Sequence, residues 1–405
     1  MSSPTRSPRD RAAARPRATA GDRTAAARRG TRHGRLAATA ATLLTGILLL
    51  TGCASGTPGA TAAAPAEQEC LGTELPFAEL DISTAPRELE GPSTACLADA
   101  ALPVIDSDEA PELPRTVTDA KGAEVTVEHA DRVLALDIAG TLAATVYGLG
   151  LGDRLVGRDS STGFAEAAEL PVVTHGGHTL TAEAILALDP DLVITDTTLG
   201  PLAVLDQLRE SGIPVVVTTQ KRSVENVAEV IGQVADALGV PGRGAALTEL
   251  VEGELDRVQA DIAAAIPAAP AERPRTLFLY VRGNANVYYL FGEESGADSL
   301  IDAVGGFDVA EEIGWVGMRP ITAEALVEAK PDVVLLMTEG LASAGGVDGL
   351  LERLPALAST PAGEHRRFVD MADTEILGFG PRTPAVVEAL ARAIYAPGQS
   401  GPAGD

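Results

Sequence analysis

The 405-residue sequence predicts an α/β fold of two Rossmann-like lobes, joined by one long rigid helix, with a ligand cleft between the lobes. The main observation is a repeat, because Thr-Ala-Glu-Ala occurs at residues 181–184 and again at 322–325. Each copy precedes a Pro-Asp pair and an apolar run, which predicts a short helix, a turn and a parallel strand buried on both faces. Two such units, 141 residues apart, predict two similar lobes that face each other.

The ends of the two repeated helices are also predicted by the sequence. Thr181 and Thr322 precede the helices, and we expect both hydroxyl groups to cap them, with an acid in each first turn where the helix dipole favours it. Pro190 and Pro331 end the helical segments, and the buried strands follow.

The N-terminal lobe is predicted over residues 115–241, where strands and helices alternate. Such alternation is typical of a parallel sheet covered by helices. Besides the first repeat, the predicted elements are a hairpin over 116–127, strands over 132–136, 155–158 and 214–217, and helices over 140–149, 201–211 and 223–238.

A linking helix is predicted within residues 242–272, since 244–266 is one long amphipathic stretch followed by three prolines. The C-terminal lobe is predicted over residues 273–397, and residues 398–405 are expected to be a disordered tail. Besides the second repeat, this lobe is expected to contain strands over 275–281 and 367–371, a strand or loop edge over 287–291, and helices over 296–304 and 384–395.

Residues 1–52 are identified as a lipoprotein signal peptide. Ten arginines precede a short apolar run over 36–50, which ends in Leu-Thr-Gly followed by Cys53. This pattern resembles a lipobox, in which the bond before the cysteine is cut and the cysteine carries lipid. We therefore expect an extracytoplasmic protein tethered to the outer face of the cell membrane. A simple signal anchor is the alternative, and the Arg28-Arg29 pair leaves the choice between Sec and Tat export open.

Residues 53–114 are predicted to be a lipid-anchored linker followed by a cysteine-containing extension, with the folded domain beginning near Pro114. Cys70 and Cys96 are the two cysteines left in the mature chain, and outside the cell they predict a disulfide. Two free thiols are the alternative. The sequence does not assign a role to this extension, and a handover surface for the ligand and a simple spacer are the two alternatives.

The mature chain is strongly acidic, which excludes some functions. After residue 52 it has 21 basic and 55 acidic residues, a formal charge of −34. Such a chain does not attract nucleic acid, and a docking partner should present a basic face. The sequence contains no Gly-x-Ser-x-Gly elbow, no phosphate-binding Walker loop and no zinc-type Cys/His spacing, so we expect a binding protein and not an enzyme.

The architecture resembles the substrate-binding proteins of ABC importers for siderophores, cobalamin and haem. The resemblance covers roughly residues 115–396, and Gly-Leu-Gly-Leu-Gly-Asp-Arg-Leu-Val-Gly at 148–157 matches a pattern of that superfamily. It implies the fold and a cognate ABC permease dimer with its ATPase as partner. It does not identify the ligand.

Two segments at the predicted cleft point to iron chemistry. His175 and His178 precede the first repeat, and Tyr280 and Arg282 end the first strand of the other lobe. Haem iron accepts His or Tyr as axial ligands. A phenol ligates as the anion, which a guanidinium two residues along the same face of a strand would favour.

Around Tyr280 the sequence looks like the haem-binding lipoproteins of Gram-positive haem importers, through Leu-Tyr-Val-Arg-Gly at 279–283 and Val-Tyr-Tyr-Leu-Phe-Gly at 287–292. The resemblance implies ferric haem as transported ligand, His178 and Tyr280 as iron ligands, and Arg282 as support for Tyr280. His175 is the competitor of His178. Further candidates for haem contact are His175, Tyr288, Tyr289, Trp315, Arg319 and Arg382.

Glu183 and Glu324 occupy equivalent places in the two repeats, and the resemblance implies that they dock on arginines of the permease dimer. An upstream haem-donor surface protein is a further expected partner. The alternatives for the ligand are a ferric siderophore, cobalamin or a bare transition metal such as manganese or zinc. A sensory or adhesive surface lipoprotein is an alternative of a different class.

Overall fold

A computed structural model describes residues 75–98 and 100–399, which fall within one compact unit spanning 64–405. The predicted signal peptide, the lipidation site Cys53, Cys70 and the tail from residue 400 lie outside the described residues. Cys96 is disulfide-bonded, and the pairing with Cys70 stays a prediction.

The N-terminal half contains one short parallel sheet. Its elements, in chain order, are β1 Ser93–Ala95, β2 Arg115–Thr118, β3 Glu124–Val127, β4 Val133–Leu136, α1 Thr141–Val146, β5 Thr174–His175, β6 Thr179–Leu180, α2 Ala182–Leu186, β7 Leu192–Thr195, α3 Ala203–Glu210, β8 Val215–Val217 and α4 Val227–Ala237. Strands β4, β7 and β8 form the parallel sheet, called here the N-terminal sheet, and all of their residues are buried. β2 and β3 form the predicted hairpin.

The C-terminal half contains a larger mixed sheet. Its elements are α5 Pro241–Ala265, β9 Arg275–Arg282, β10 Val287–Phe291, α6 Ala297–Ala303, β11 Phe307–Asp308, α7 Val309–Glu312, β12 Met318–Pro320, α8 Ala323–Ala329, β13 Val333–Met337, α9 Thr338–Ala344, α10 Gly346–Arg353, α11 Pro355–Ala358, α12 Pro361–Glu364, β14 Phe368–Met371 and α13 Thr383–Tyr395. The strand order is β1-β14-β13-β9-β10-β12, with β11 also paired to β9. This is called the C-terminal sheet, and it is parallel except where β10 joins β9 and β12.

The predicted fold class is confirmed, and the repeats account for it. In the first repeat α2 leads into β7, and in the second α8 leads into β13, the buried parallel strand of each sheet. The Thr322 hydroxyl accepts the backbone N–H of Ala325 at 3.1 Å, as expected of a cap. The Thr181 cap was wrong, because its hydroxyl lies 2.9 Å from the Nδ1 atom of His175.

Helix α5 connects the two sheets and is 25 residues long. Proline is tolerated in the first turn of a helix, and Pro241 begins this one three residues before the predicted start. Its buried side chains recur every three or four residues, so one stripe faces the neighbouring helices α4 and α13. The stripe consists of Leu247, Val251, Leu255, Val258 and Ile262.

The extension differs most from expectation, because it belongs to the folded core. Strand β1 pairs in parallel with β14 at the edge of the C-terminal sheet, and Phe77 is buried in the main core. The chain then crosses to the N-terminal half, where Ile105 donates its N–H to the Gly148 carbonyl. Glu109 accepts the N–H groups of Gly242 and Arg243 at the start of α5. The folded domain therefore begins well before Pro114.

Two smaller elements also differ. The predicted strand over 155–158 contributes only isolated bridges, from Leu155 to Val133 and from Arg158 to Val172. The helix predicted to Leu149 changes after Val146 into a wider turn in which Gly150 has φ 73°. Within 75–98 and 100–399, none of the helices combines the length and the apolar character that crossing a bilayer requires.

Candidate functional site

The first side of the candidate site is the β5–β6 hairpin, which carries both predicted histidines. Gly176 and Gly177 at its tip have φ values of 57° and 91°, a left-handed backbone that favours glycine. The His175 ring is engaged by the Thr181 hydroxyl, which also fixes the start of α2. His178 is exposed, and its ring makes no hydrogen bond within the described part of the chain. His178 is therefore the freer of the two to meet a ligand.

Arg282 of the C-terminal sheet acts on His178 across the molecule. Partial burial and then the charge of Arg282 hold the pKa of His178 below its ordinary value. The neutral imidazole is thereby favoured, and this is the form with a free nitrogen lone pair for a metal. The hairpin and the end of β9 are therefore near enough for the charge of Arg282 to act on the His178 imidazole.

The second side is the end of β9, where Tyr280 and Arg282 project from the same face. The guanidinium carbon of Arg282 lies 4.5 Å from the centre of the Tyr280 ring. Tyr280 stacks on Phe291 of β10 with ring centres 5.8 Å apart and lies 6.3 Å from the ring of Tyr289, its cross-strand partner. The phenol thus lies in an aromatic wall with a cation over its face.

Asp373 completes this group and was missed by the sequence reasoning. Its Oδ2 atom lies 3.0 Å from the Nη2 atom of Arg282, and its Oδ1 atom accepts the backbone N–H of Glu339 at 3.0 Å. Gly340 lets the first turn of α9 approach, since a Cβ there would lie 2.8 Å from the Val281 carbonyl oxygen. Its position in the sequence could have indicated Asp373 as a site residue, because it follows the carboxyl end of a parallel strand, where ligand sites of α/β sheets lie.

Tyr288 is not brought together with Tyr280. Neighbouring strand residues point to opposite faces, so Tyr289 packs on the core beside Tyr280 while Tyr288 packs on the other face of the C-terminal sheet. The Tyr288 hydroxyl is buried without a hydrogen-bond partner among the described residues. Its suggested role in haem contact has no support in this arrangement.

Trp315 and Arg319 lie together next to the end of β10. The Trp315 indole N–H donates to the Leu290 carbonyl at 3.0 Å, and the Arg319 guanidinium carbon lies 4.4 Å from the indole centre. The repeat offset of 141 takes His178 to position 319, so Arg319 occupies in the second lobe the place of His178 in the first. Arg319 is exposed, which leaves its charge available to an anion.

Arg382 is already held by another residue. Its Nη1 atom lies 3.5 Å from the Oε1 atom of Glu375, and both side chains are largely buried. Burial lowers the pKa of Arg382 and raises the pKa of Glu375. The pair lines a cavity of about 10 Å³ that also involves Gly140 and Thr141 of the N-terminal half. Arg382 therefore forms its ion pair within the C-terminal half, next to Gly140 and Thr141 of the other half, and its predicted contact with a ligand would require this pair to open.

A buried carboxylate cluster lies at the carboxyl ends of the N-terminal sheet and was also missed. Asp137 and Asp196 follow β4 and β7, and the Nη2 atom of Arg222 lies 3.8 Å from Asp137 and 2.8 Å from Asp196. Asp159 accepts the backbone N–H of Asp137 at 3.1 Å, and no cation forms an ion pair with it within residues 75–98 and 100–399. Burial and then Asp137 raise the pKa of Asp159 to about 7 and that of Asp196 to about 6.

These carboxylates have structural roles, because they accept hydrogen bonds from nearby backbone N–H groups. Asp137 accepts the N–H groups of Thr141 and Leu142 and so caps α1. Asp159 accepts the N–H groups of Ser161 and Thr162 in the following turn. Among residues 75–98 and 100–399, no group of three or more His, Cys, Asp or Glu side chains is placed to hold a metal ion. Nothing there gives positive support to the bare-metal alternative.

The fold and this interlobe group define a class of binding protein, and comparison with known proteins identifies the family. The chain belongs to the periplasmic binding protein family, whose profile matches residues 138–374, more than half of the chain. A curated relative, the vitamin B12-binding protein of Vibrio parahaemolyticus, is 32% identical over 118 residues, or 29% of this chain and 42% of that protein. The chain thus spans less than half of this relative's length.

Solved structures are similar over much more of the chain. The haem-binding protein HmuT is 39% identical, with 77% of this chain and 99% of that chain covered and a TM-score of 0.72. Structures of HmuT in which one arginine, one histidine or one tyrosine is replaced by alanine are also similar. The periplasmic haem-binding protein BhuT, in complex with two haems, is 35% identical over 65% of this chain and 98% of that chain, with a TM-score of 0.58.

Proposed function

We propose that this protein captures ferric haem in the cleft between its lobes and delivers it to a cognate ABC permease for haem and iron uptake. The observation that carries this proposal is that Arg282 lies 4.5 Å from the Tyr280 ring centre in one half and, after burial, lowers the pKa of His178 from the opposite half. The similarity to HmuT over 99% of that chain supports the same ligand.

The residues present fit a ferric porphyrin. Tyr280 supplies a phenol oxygen and His178 a neutral imidazole, two ligand types that haem iron accepts. The Arg282 guanidinium lies over the Tyr280 ring and so places a positive charge beside the phenol. Ferric iron, when bound, would act as a Lewis acid and favour coordination by the phenolate. Tyr289 and Phe291 pack against the Tyr280 ring and form with it an aromatic wall that suits a flat ligand.

Other residues are candidates for binding the outer parts of the haem, away from the iron. A haem carries carboxylates, which a planar guanidinium binds well, and exposed Arg319 occupies the second-lobe equivalent of the His178 position. His175 stays the alternative iron ligand, at the cost of its contact with Thr181. Because BhuT was solved with two haems, both one-haem and two-haem complexes are included in the proposal.

The wider setting follows from the sequence. Lipid on Cys53 would tether the protein outside the membrane, and Glu183 and Glu324 would each face a basic residue of a two-fold permease dimer driven by its ATPase. An upstream haem-donor protein would load the cleft. Glu183 and Glu324 are both exposed in the first turns of α2 and α8, as docking requires.

A haem titration followed by visible absorption tests the proposed ligand. We expect a saturable, intense Soret band, and weaker binding with a changed spectrum for Tyr280→Ala. His178→Ala should weaken binding less, because Tyr280 remains. Tyr288→Phe is the matched tyrosine control, since Tyr288 lies on the other face of its sheet. His129→Ala is the control for histidine, because that residue is exposed outside the group.

The titration also separates the alternatives. A cobalamin complex would have a different absorption pattern, and a colourless protein that binds none of these pigments would point to a bare metal or a sensor. The proposal is wrong if haem gives no saturable spectrum. The ligand assignment is wrong if neither Tyr280→Ala nor His178→Ala changes the spectrum of bound haem.

A further inference from the structure

Exposed apolar side chains in the described residues include one pair related by the repeat. Ten large hydrophobic side chains are exposed there. Adding the repeat offset of 141 to Leu186 gives Val327, and both belong to the exposed set, at 41% and 54%. No other two members of the set are related by this offset. Single exposed hydrophobic residues are ordinary, whereas these two occupy equivalent positions in the two lobes.

Each of these side chains is next to a glutamate. Leu186 lies three residues after Glu183 in α2, and Val327 lies three residues after Glu324 in α8. Residues three apart lie on the same face of a helix, about one turn from each other. Both glutamates and both aliphatic residues are exposed. The two lobes therefore present the same unit twice, an acid with an aliphatic side chain beside it.

The two units also face the same edge of the molecule. In an α/β unit the helix runs antiparallel to the strand it precedes, so its first turn lies at the carboxyl edge of the sheet. Helix α2 follows the hairpin that carries His178, and α8 follows β12, which pairs with β10 beside the Tyr280 group. The units thus lie on the two rims of the candidate haem cleft.

We propose that Leu186 and Val327 form, with Glu183 and Glu324, a two-part docking surface for the permease dimer. This inference rests on the proposed function and adds the chemistry of the partner. The permease dimer has two-fold symmetry, so each of its subunits would present the same surface, a cation beside an apolar hollow. One subunit would meet the first lobe and the other subunit the second lobe. The acids steer and orient the partners through charge, whereas the aliphatic side chains contribute affinity by leaving water on contact.

These two contributions respond differently to salt, which separates them. Screening weakens attraction between exposed charges but leaves burial of apolar surface nearly unchanged. Loss of the acids should therefore lower both the affinity and its dependence on salt. Loss of the aliphatic side chains should lower the affinity and keep the dependence on salt.

The test measures binding of the haem-loaded full-length protein to membrane vesicles that contain the permease and to vesicles of the same lipids without it. The variants are Leu186→Gln with Val327→Gln, and Glu183→Gln with Glu324→Gln. We expect the aliphatic double variant to bind about tenfold more weakly with the parental salt slope. The glutamate double variant should bind more weakly with a smaller slope. Both should retain the parental haem spectrum.

Leu250→Gln is the matched control, because Leu250 is an exposed aliphatic residue on α5 outside both repeats. It should bind as the parent does. The proposal is overturned if the aliphatic double variant binds like the parent, if Leu250→Gln is weakened equally, or if the effect persists on vesicles without permease, which would indicate a lipid contact. If the parent binds no haem, the proposed function is overturned and this inference falls with it.

Discussion

Arg282 is shared at the candidate site between an aromatic ring and a carboxylate. Its guanidinium carbon lies 4.5 Å from the Tyr280 ring centre, and its Nη2 atom lies 3.0 Å from Asp373. It also lowers the pKa of His178. One cation therefore lies beside both proposed ligands and favours the neutral imidazole of His178, the form that binds iron.

Removal of this cation should make tyrosine ligation harder. For Arg282→Ala we expect the pH at which the tyrosine-ligated haem spectrum appears to rise, because an anion loses its neighbouring positive charge. A pH titration of the haem complex by absorption measures this. Arg209→Ala is the control, since Arg209 is exposed on α3 and pairs with Asp206. A titration identical to that of the parent would remove Arg282 from the mechanism.

Asp373 should act in the opposite direction. Asp373→Asn keeps an oxygen for the Glu339 N–H but removes the negative charge beside Arg282. The uncompensated guanidinium should stabilise the iron-bound tyrosine anion more strongly, so the same spectral midpoint should fall to lower pH. A midpoint that rises would mean that Asp373 mainly orients Arg282 and that its charge matters less than its position.

The sequence alone was sufficient to propose roles for residues whose chemistry follows from their near neighbours in the chain. His178 lies beside a repeat, and Tyr280 and Arg282 lie two apart on one strand, so their chemistry could be proposed from spacing. Asp373 could not be found in this way, because its contact with Arg282 depends on how β14 and β9 assemble around β13. The Thr181 cap failed for a similar reason, since the neighbouring His175 competes for the hydroxyl.

Among the secondary-structure elements, the N-terminal sheet has a buried carboxylate cluster at its carboxyl edge, and this cluster should give stability a pH dependence. Burial raises the pKa of Asp159 from 3.8 to about 7. A carboxyl whose pKa is raised on folding stabilises the fold fully below its unfolded pKa, and this contribution is lost as the pH rises through its folded pKa. The contribution of Asp159 therefore declines between pH 3.8 and about 7.

Asp159→Asn should make this decline less steep, by up to about 1.4 kcal/mol per pH unit for one proton. The decline should not vanish, because the pKa of Asp196 is also raised, to about 6. Urea unfolding at pH 5, 6.5 and 8 measures the effect, with exposed Asp108→Asn as the control. An unchanged pH slope in Asp159→Asn would show that this carboxyl does not titrate as described.

The extension depends on one buried side chain for its attachment. Arg367 is fully buried at the start of β14, and its guanidinium donates to the carbonyl oxygens of Gly91, Ala393 and Ile394 and to the Ser93 hydroxyl. Burial lowers its pKa to about 10, which leaves it charged at neutral pH. Arg367 thus joins β1 to α13 through the interior.

Arg367→Met should lower the free energy of unfolding by about 2–5 kcal/mol, because several buried acceptors lose their donor. Arg366→Met is the matched control, since Arg366 is more exposed and pairs with Asp348 at 2.7 Å. That control should change the stability by less than about 1 kcal/mol. Chemical unfolding followed by circular dichroism measures both. Equal stability of the two variants would show that the extension is not held by Arg367.

For the whole molecule, a single sequence predicts some parts of the fold and misses others. The two sheets could be predicted from the repeat and the linking helix from its amphipathic pattern, because both features are visible in the sequence itself. The place of residues 75–113 did not follow, because β1 pairs with β14 near the far end of the chain. A strand of three residues is too short to show a periodic pattern in the sequence, so β1 can be recognised only from its pairing with β14.

The contacts of the extension with both halves also bear on how the cleft is held. The extension pairs with β14 on one side and meets Gly148 and Arg243 on the other. Together with α5 it gives the two halves two connections. We expect the lobes to keep their relative placement when haem binds, with small adjustments at the hairpin of His178.

A crystal structure of the ferric haem complex is the most direct test of the central claim. We expect iron in the cleft between the lobes, bound by the phenol oxygen of Tyr280 from one lobe and by an imidazole nitrogen of His178 from the other. Arg282 should stay beside the Tyr280 ring. Haem bound outside the cleft, or iron ligated there by neither Tyr280 nor His178, would contradict the account.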